Sequence, residues 1–509
     1  MSPNASEEVF IILASPFPAS LDGIKRLIAY TSNYHRARTR QGPRPALPGR
    51  CRGTPMAVAA GEMFPRGGCG CAPAGPSVVA MTEPAPWQGP AAGAQGAPPA
   101  PLPNAVQTAA ANPAGAVLWP RPAPSGPPAG SRGLQLKVTN IILLCVLILV
   151  TVGTLAFFAA SLGVNVFLIC GALALIPLGI CVATLVWIDR WEPEPVPALI
   201  VAFCWGAGMA VITTLVLGSW VQPLLIGNAP AADADMLGAV VQAPVVEEIC
   251  KGAGLLLLFF LRRRTFDGPV DGVVYAGLIA AGFAFTENIL YFGQALEEAD
   301  GAAGGLVGIF IVRGMMSPFA HVMFTAMLGM CVGWAARHGG TALVLGAWVV
   351  GLLPAMALHG LWNATSFLGA SFFAMYVVLQ VPLFILFITG IVLLRRSEAK
   401  LTRARLADYV ASGWFTPQEV PMLATGAGRR RALAWAKSFA AGAAMKEFIR
   451  LTTRLAFVRQ RLIVDARTGG PASAARFREG QARELELLGK VVEVRRALLA
   501  SHAAALPRR

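Results

Sequence analysis

Two adjacent glutamates and a lysine interrupt an apolar stretch in the middle of this sequence. Glu247 and Glu248 lie within the run 236–261, and Lys251 follows them by one helical turn. Each ionisable group at bilayer depth costs about 2.5–3.5 kcal/mol on insertion scales, so such a cluster indicates a functional site by default. At these spacings Lys251 can neutralise one carboxylate and leave the other free for chemistry. A self-satisfied ion pair that fixes helix packing is the structural alternative.

Three further ionisable residues lie in later apolar stretches. They are Glu287, His321 and His359, each on a different predicted span. A lone intramembrane histidine usually bonds to a neighbouring helix, but histidines and glutamates from four consecutive spans fit one shared polar pocket better. At 1.5 Å of rise per residue, these groups lie roughly 6–16 Å below the outer ends of their spans. The sequence therefore predicts a pocket that opens to the outside.

Prolines precede three of these groups. Pro244, Pro318 and Pro354 come three to five residues before Glu247, His321 and His359, respectively. A proline kinks a helix and frees a backbone carbonyl that water or another helix must satisfy. The three prolines together predict a hydrated, irregular cavity.

Two asparagines accompany the ionisable residues. Asn288 directly follows Glu287, and Asn363 lies one turn after His359 on the same helix face. The second pair can present an imidazole and an amide to one reacting oxygen, which is what oxyanion stabilisation requires.

A polytopic helix bundle must position these side chains. The chain has 509 residues, of which 55% are hydrophobic and 14% charged, and several apolar runs reach the 18 residues that span a bilayer. The sequence predicts an all-α fold with about eight transmembrane helices. Their predicted ranges are 138–160, 164–188, 198–217, 236–261, 272–293, 317–336, 341–368 and 372–394.

Composition divides the chain into three parts. Residues 1–133 are rich in Pro, Ala and Gly and are predicted to be disordered. No signal peptide is evident in them, and Met81 is an alternative start. Residues 134–396 form the predicted transmembrane domain, and 397–509 form a basic helical tail.

Positive charge is concentrated in the tail. Residues 395–509 hold 23 Lys/Arg and 9 Asp/Glu in a chain whose net charge is +15. Eight spans place both termini on one side, together with the basic loops near Arg262, Arg337 and Arg395, and the positive-inside rule makes that side cytoplasmic. We expect a multi-pass protein of a bacterial plasma membrane. The tail suits an anionic lipid leaflet, and the absence of a recognition motif argues against a nucleic-acid partner.

An ordered set of motifs resembles the PrsW family of intramembrane proteases, which is related to the CAAX-protease and bacteriocin-processing superfamily. The resemblance covers roughly 138–396. The matching pieces are DRWEPEP (189–195), EEICK (247–251), DGPVDGVVY (267–275), FAFTEN (283–288) with Tyr291, His321 with Thr325, and HGLWN (359–363).

The resemblance implies hydrolysis of peptide bonds in membrane-anchored proteins. The family's founding member cleaves an anti-sigma factor on its extracytoplasmic side, which agrees with an outward pocket. By similarity to the wider superfamily, Glu247 would activate water together with His321. His359 and Asn363 would stabilise the oxyanion. The candidate catalytic residues are Glu247, Glu248, His321, His359 and Asn363, with Lys251, Glu287 and Asn288 in support.

The family name also implies a metal. Glutamate and histidine are suitable zinc ligands, and a catalytic zinc needs three of them and an open position. The candidate ligands are Glu247, Glu287, His321 and His359. The sequence has no HExxH pattern, and relatives have also been interpreted as glutamate proteases without a catalytic metal. Both mechanisms therefore remain open at this point.

Other functions are compatible with a polar membrane cluster. A proton- or ion-coupled transporter is the main alternative, because intramembrane Glu, His and Lys also build proton relays. Transporters often contain an internal repeat with paired broken helices, and this sequence has none. A non-catalytic scaffold is a third possibility. A CAAX-type prenyl-protein protease is disfavoured by the outward pocket.

Cysteine labelling tests the predicted topology. Single cysteines introduced into the loops 219–235 and 294–316 should react with an impermeant reagent added outside the cell. A cysteine in the tail should react only after the membrane is permeabilised. Labelling of either loop only from the cytoplasm would contradict the orientation and the outward pocket.

Overall fold

The computed structural model describes residues 130–226, 230–263, 265–298, 303–468 and 470–505. The predicted disordered segment 1–133 lies outside these ranges up to residue 129, and its last four residues begin the first helix. Within the described ranges the secondary structure is helical, as predicted. The α-helices are α1 (Gly130–Leu162), α2 (Val164–Ile188), α3 (Val196–Cys204), α4 (Val211–Leu225), α5 (Ala231–Leu237), α6 (Ala243–Leu261), α7 (Pro269–Glu298), α8 (Ala303–Ile309), α9 (Ala320–His338), α10 (Thr341–Thr365), α11 (Phe372–Met375), α12 (Val381–Ala407), α13 (Glu419–Leu423), α14 (Gly426–Lys437), α15 (Gly442–Thr468) and α16 (Pro471–Ala505).

Seven stretches of the described chain are long and apolar enough to cross a membrane. They are Ile141–Leu162, Val164–Trp191, Val196–Leu224, Pro269–Leu296, Leu306–His338, Thr341–Thr365 and Phe372–Ala407. The predicted fourth span corresponds to α5 and α6, which are joined by a π-helical turn. Helix α6 carries Glu247, Glu248 and Lys251 within 19 residues, more charged residues than the most apolar 18 residues of any of the seven. The protein is a multi-pass membrane protein built as a polytopic helical bundle.

Helix α7 lies at the centre of the bundle. It packs against α2, α3, α6, α8 and α9, and Val273, Ala276 and Ile279 are fully buried on it. Small residues recur along α7, and in a membrane such residues let helix backbones approach closely. Helix α7 therefore fixes the positions of the helices around it.

Glycines form the contact between α7 and α9. A Cβ added at Gly272 would lie 1.9 Å from the carbonyl oxygen of Gly329, and one at Gly333 would lie 2.2 Å from that of Gly268. No side chain fits at these distances without moving a backbone. Since α7 carries Glu287 and α9 carries His321, this contact sets how far apart those two side chains lie.

Two of the three prolines expected to kink helices lie at helix starts instead. Pro244 is in the first turn of α6, and Pro318 precedes α9. Pro318 lies before its helix, where a proline removes no intrahelical hydrogen bond. Pro244 directly follows the π-helical turn Gly238–Gln242 and supplies no N–H to it. Pro354 is inside α10, as the prediction requires.

The C-terminal helices pack around a core of their own. Helix α12 continues past the predicted boundary at 396/397 to Ala407, so the division into domains remains a prediction. The core of α13–α16 and the end of α12 includes Tyr409, Trp435, Phe448, Leu455 and Leu498.

Arginines attach these helices to the end of the bundle where α7 begins. Arg461 pairs with Asp267 at 2.7 Å. The Arg429 guanidinium lies 3.4 Å from the centre of the Trp191 ring. Burial lowers the pKa of Arg429 to about 10, and burial raises the pKa of Glu194 to about 8. A cavity of about 860 Å³ lies at this junction, and about 27 Å of helix separates it from Glu287.

Substitution of Gly272 tests the contact between α7 and α9. The change Gly272→Ala should lower the unfolding temperature of the purified protein in detergent, because overpacking typically costs about 1–3 kcal/mol. Gly346→Ala is the matched control in α10, since a Cβ there would meet no atom within 4 Å. Equal unfolding temperatures for the two variants would contradict the contact.

Candidate functional site

The predicted polar residues of four helices meet in one cluster. Helix α6 contributes Glu247, Glu248 and Lys251, and α7, α9 and α10 contribute Glu287, His321 and His359. All except Glu287 are buried, and the side chain of Glu287 is 15% exposed. The shared pocket that the sequence predicts is therefore compatible with the structure.

Lys251 lies at the centre of the cluster. Its ammonium donates to Glu248 Oε1 at 2.9 Å and to Glu247 Oε2 at 3.1 Å. His321 Nδ1 lies 3.4 Å away, and the centre of the Phe283 ring lies 4.0 Å away. Lys251 thus contacts both carboxylates, although the sequence suggested that it would neutralise one.

The two glutamates of α6 differ in how many of their carboxylate oxygens form hydrogen bonds. Glu248 Oε1 accepts from the Lys251 ammonium and lies 3.1 Å from His359 Nδ1. Its Oε2 accepts from the Thr325 hydroxyl at 2.8 Å. Glu247 uses Oε2 for Lys251, and its Oε1 makes no hydrogen bond with any described residue. The Glu247 side chain is 8% exposed and that of Glu248 is fully buried. Glu247 is therefore the carboxylate that retains an oxygen for a reactant.

Each histidine has one ring nitrogen next to a carboxylate. His321 Nε2 lies 2.8 Å from Glu287 Oε2, and His359 Nδ1 lies 3.1 Å from Glu248 Oε1. The rings are 5.0 Å apart and nearly perpendicular. A carboxylate that accepts from one nitrogen fixes the tautomer and leaves the lone pair on the other. The lone pairs therefore lie on His321 Nδ1, which faces the Lys251 ammonium at 3.4 Å, and on His359 Nε2, which lies 3.8 Å from Glu247 Oε2.

Three of the four predicted metal ligands form a group that suits a metal. Glu247, His321 and His359 can each offer one donor atom, and these atoms lie within 4.8 Å of one another. One carboxylate and two imidazoles are a common catalytic zinc set, and both imidazoles have the carboxylate partner that zinc-bound histidines usually have. The Lys251 ammonium lies against two members of this set, 3.1 Å from Glu247 Oε2 and 3.4 Å from His321 Nδ1, so a metal would share this space with a positive charge. Glu287 contacts His321 from behind and does not belong to the group of three.

Asn363 makes a different contact from the one its spacing suggested. Its Nδ2 donates to the carbonyl oxygen of Ala239 at 2.8 Å. Ala239 lies in the π-helical turn Gly238–Gln242, where a carbonyl bonds to the N–H five residues later. That residue is Pro244, which has no N–H, so Asn363 satisfies the carbonyl instead. An oxyanion role for Asn363 remains a prediction. In that role its amide would donate its second hydrogen.

Sequence reasoning missed Arg313. Its Nη2 donates to Glu287 Oε2 at 2.8 Å and its Nε donates to Asn288 Oδ1 at 3.1 Å. The guanidinium also lies 3.9 Å from the centre of the Tyr291 ring. One signal could have identified it, because Arg313 is the only basic residue in the predicted outer loop 294–316. An outer arginine departs from the positive-inside pattern.

The interior of the cluster is closely packed. Glu248, Lys251 and His359 are at most 1% exposed, and the cavity next to His321 measures about 10 Å³. That volume holds about one water molecule. The hydrated cavity that the prolines suggest stays a prediction.

Comparison with known proteins gives one consistent family. A family model described as PrsW family intramembrane metalloprotease matches residues 194–387. Protease PrsW of Geobacillus kaustophilus is 27% identical over 34% of this chain and 69% of its own length. The proteins of that name from Clostridioides difficile and Oceanobacillus iheyensis are 29% and 26% identical, over 38% and 33% of this chain and 76% and 70% of their lengths. No solved structure matches the chain.

Proposed function

This chain belongs to the PrsW family of intramembrane proteases, and we propose that its buried cluster hydrolyses peptide bonds of membrane-anchored proteins near the outer membrane face. One observation carries the assignment of residues. Glu247 keeps an oxygen without a partner beside two imidazoles, and each imidazole is oriented by another carboxylate. The transporter alternative receives no support from the relatives.

Glu247 acts as the general base in this proposal. Its free Oε1 takes a proton from a water molecule while the water oxygen bonds to the carbonyl carbon. The electron pair of the C=O bond moves to the carbonyl oxygen and returns when the C–N bond breaks. The leaving nitrogen takes the proton from Glu247, so the products are a carboxylic acid and an amine. A positioned acid–base group of this kind contributes about 10²–10⁴-fold to the rate.

The remaining residues orient the reactants. Lys251 and Thr325 hold Glu248, and Glu248 in turn holds His359. His321, oriented by Glu287, presents Nδ1 to the same space and assists in deprotonating the water. His359 Nε2 faces the reacting region and, with Asn363, would stabilise the oxyanion.

A divalent metal, zinc in the first place, fits the group formed by Glu247, His321 and His359. When bound there it would lower the pKa of a water to about 7 and polarise the carbonyl. The three carboxylates of the cluster exceed its two cations, Lys251 and Arg313, by one charge. A cation in the group would offset that excess. The metal-free alternative leaves activation of the water to Glu247 alone.

The positions of the groups along their helices support an outer location. His321 is the second residue of α9, and Glu247 is the fifth of α6. The opposite ends of α6 and α9 adjoin Arg262 and Arg337, and Arg395 lies within α12. The positive-inside rule assigns those residues to the cytoplasm. With α5–α6 as a fourth crossing, the chain crosses eight times and both termini are cytoplasmic.

The proposed substrates are membrane-anchored regulators of the anti-sigma-factor type. This choice rests on the family resemblance. It agrees with a site near the end of the bundle, where a single-span protein can present the segment that leaves the bilayer. The relatives come from bacteria, so we place the protein in a bacterial plasma membrane.

Matched glutamine variants test the base. Glu247→Gln should lose at least about 10²-fold in cleavage of a membrane-anchored reporter and keep its unfolding temperature, because an amide still accepts from Lys251. Glu248→Gln should lower the unfolding temperature, since a buried carboxylate with three partners loses its charge-assisted bonds. Cleavage by Glu247→Gln at the wild-type rate would overturn the proposed function.

Zinc content distinguishes the two mechanisms. Protein purified without chelator should contain about one zinc per chain, and a chelator should lower both its activity and its unfolding temperature. Zinc should restore both in the wild type, and His359→Ala should not recover the unfolding temperature. Full activity after complete removal of metal would instead establish the metal-free mechanism.

A further inference from the structure

We propose that Asn288, held in place by Arg313, donates the hydrogen bond that binds the carbonyl oxygen of the substrate in the small cavity beside His321. This inference rests on the proposed protease function and assigns a catalytic residue and a positioning residue to it. It rests on two observations. Arg313 contacts the site although the sequence motifs did not predict it, and the amide nitrogen of Asn288 has no partner among the described residues.

Arg313 binds two neighbouring residues of α7 at once. Its Nη2 donates to Glu287 at 2.8 Å, and its Nε donates to Asn288 Oδ1 at 3.1 Å. A guanidinium is planar and presents its donors in a fixed fork, so two bonds from it define an orientation. The Tyr291 ring covers one guanidinium face. Arg313 therefore fixes the Asn288 amide together with the carboxylate that orients His321.

The geometry of the amide leaves its nitrogen available. Because Asn288 Oδ1 accepts from Arg313, the two hydrogens of Nδ2 point away from that contact. Asn288 is only 5% exposed, and Nδ2 donates to no described residue. Nδ2 is not among the fully buried atoms without a partner, so it is accessible to an acceptor from outside the protein. A substrate oxygen would supply that acceptor.

The cavity next to this amide is about as large as one water molecule. It measures about 10 Å³ and is lined by Asn288, Arg313, Ser317, His321 and Trp362, among others. This is about the smallest volume that holds a water molecule, so it admits a carbonyl oxygen but not a side chain. Its wall also contains His321, which the proposed mechanism places next to the attacking water.

The other asparagine is less suited to the same task. One hydrogen of the Asn363 amide is used on Ala239, whose carbonyl lost its helical partner to Pro244. That bond connects α10 to the π-helical turn before α6. The described contacts therefore give Asn363 a role in helix packing besides its proposed place at the oxyanion, whereas Asn288 keeps both amide hydrogens for a substrate oxygen.

The chemistry of the step follows directly. When the water oxygen bonds to the carbonyl carbon, the C=O electron pair moves to the carbonyl oxygen, and Asn288 Nδ2–H donates to the resulting negative charge. The positive charge of Arg313 is adjacent. When the C–N bond breaks, the pair returns to the C=O bond and the hydrogen bond weakens again. Removal of one such donor costs about 10²–10³-fold in kcat.

Kinetics with a reporter test the proposal. The reporter is a fluorogenic peptide attached to a single transmembrane helix. Asn288→Ala should lower kcat for its cleavage by about 10²–10³-fold and leave KM within about twofold. Arg313→Lys should lower kcat as well, because a lysine keeps the charge beside Glu287 but lacks the fork that holds the amide.

Two analogues of the reporter separate a donor role from a structural one. A trifluoromethyl ketone, whose hydrate carries a tetrahedral carbon with its oxygens, should lose affinity for Asn288→Ala by a factor similar to the loss in kcat. A reduced-amide peptide has no carbonyl oxygen and should bind the variant and the wild type equally. Equal losses for both analogues, or a loss that follows the unfolding temperature, would overturn the proposal.

Asn363→Ala is the comparison variant. It should lower the unfolding temperature more than Asn288→Ala does, because the Ala239 carbonyl loses its donor. Wild-type kcat in Asn288→Ala with Glu247→Gln inactive would refute the role of Asn288 and leave the protease function intact. A wild-type protein that cleaves no membrane-anchored reporter would overturn the protease function, and this inference with it.

Discussion

The ammonium of Lys251 is fully buried between two glutamates, and the arrangement of the whole cluster depends on how charge is balanced around it. A buried ion that loses its partner destabilises a protein strongly, whereas apolar residues of the same shape often stabilise it. The cluster is thus a poor choice for stability alone, which favours a functional reason for it. With neutral imidazoles, Lys251 and Arg313 leave one of the three carboxylate charges uncompensated. A proton on an imidazole or a bound cation can offset that charge.

Close packing of helices makes this charge balance possible. The cluster takes residues from α6, α7, α9 and α10, and no single helix could bring them together. Glycines at the contact between α7 and α9 remove the side chains that would separate the backbones. Van der Waals packing, and not a hydrophobic effect, drives such association in lipid. The chemistry of the site therefore depends on residues that have no reactive group.

The C-terminal helices add a second polar region at the other end of the same bundle. The family match ends at residue 387, so these helices lie outside it. Arg461 and Arg429 dock them on the loops that begin α7 and end α2. Burial in this region raises the pKa of Glu194, whose carboxylate accepts from the Tyr275 hydroxyl.

The sequence by itself determined the membrane class, the all-α fold and the six ionisable residues of the cluster, because apolar length and intramembrane charge are properties of single segments. It also suggested that Lys251 would neutralise one glutamate, since that spacing is local to one helix, whereas in the structure the ammonium contacts both. Only the tertiary structure decided that Glu248 is saturated while Glu247 keeps an oxygen, that Asn363 bonds to Ala239, and that Arg313 joins the site. These contacts connect different helices and depend on helix rotation and separation, which no periodicity in the sequence encodes.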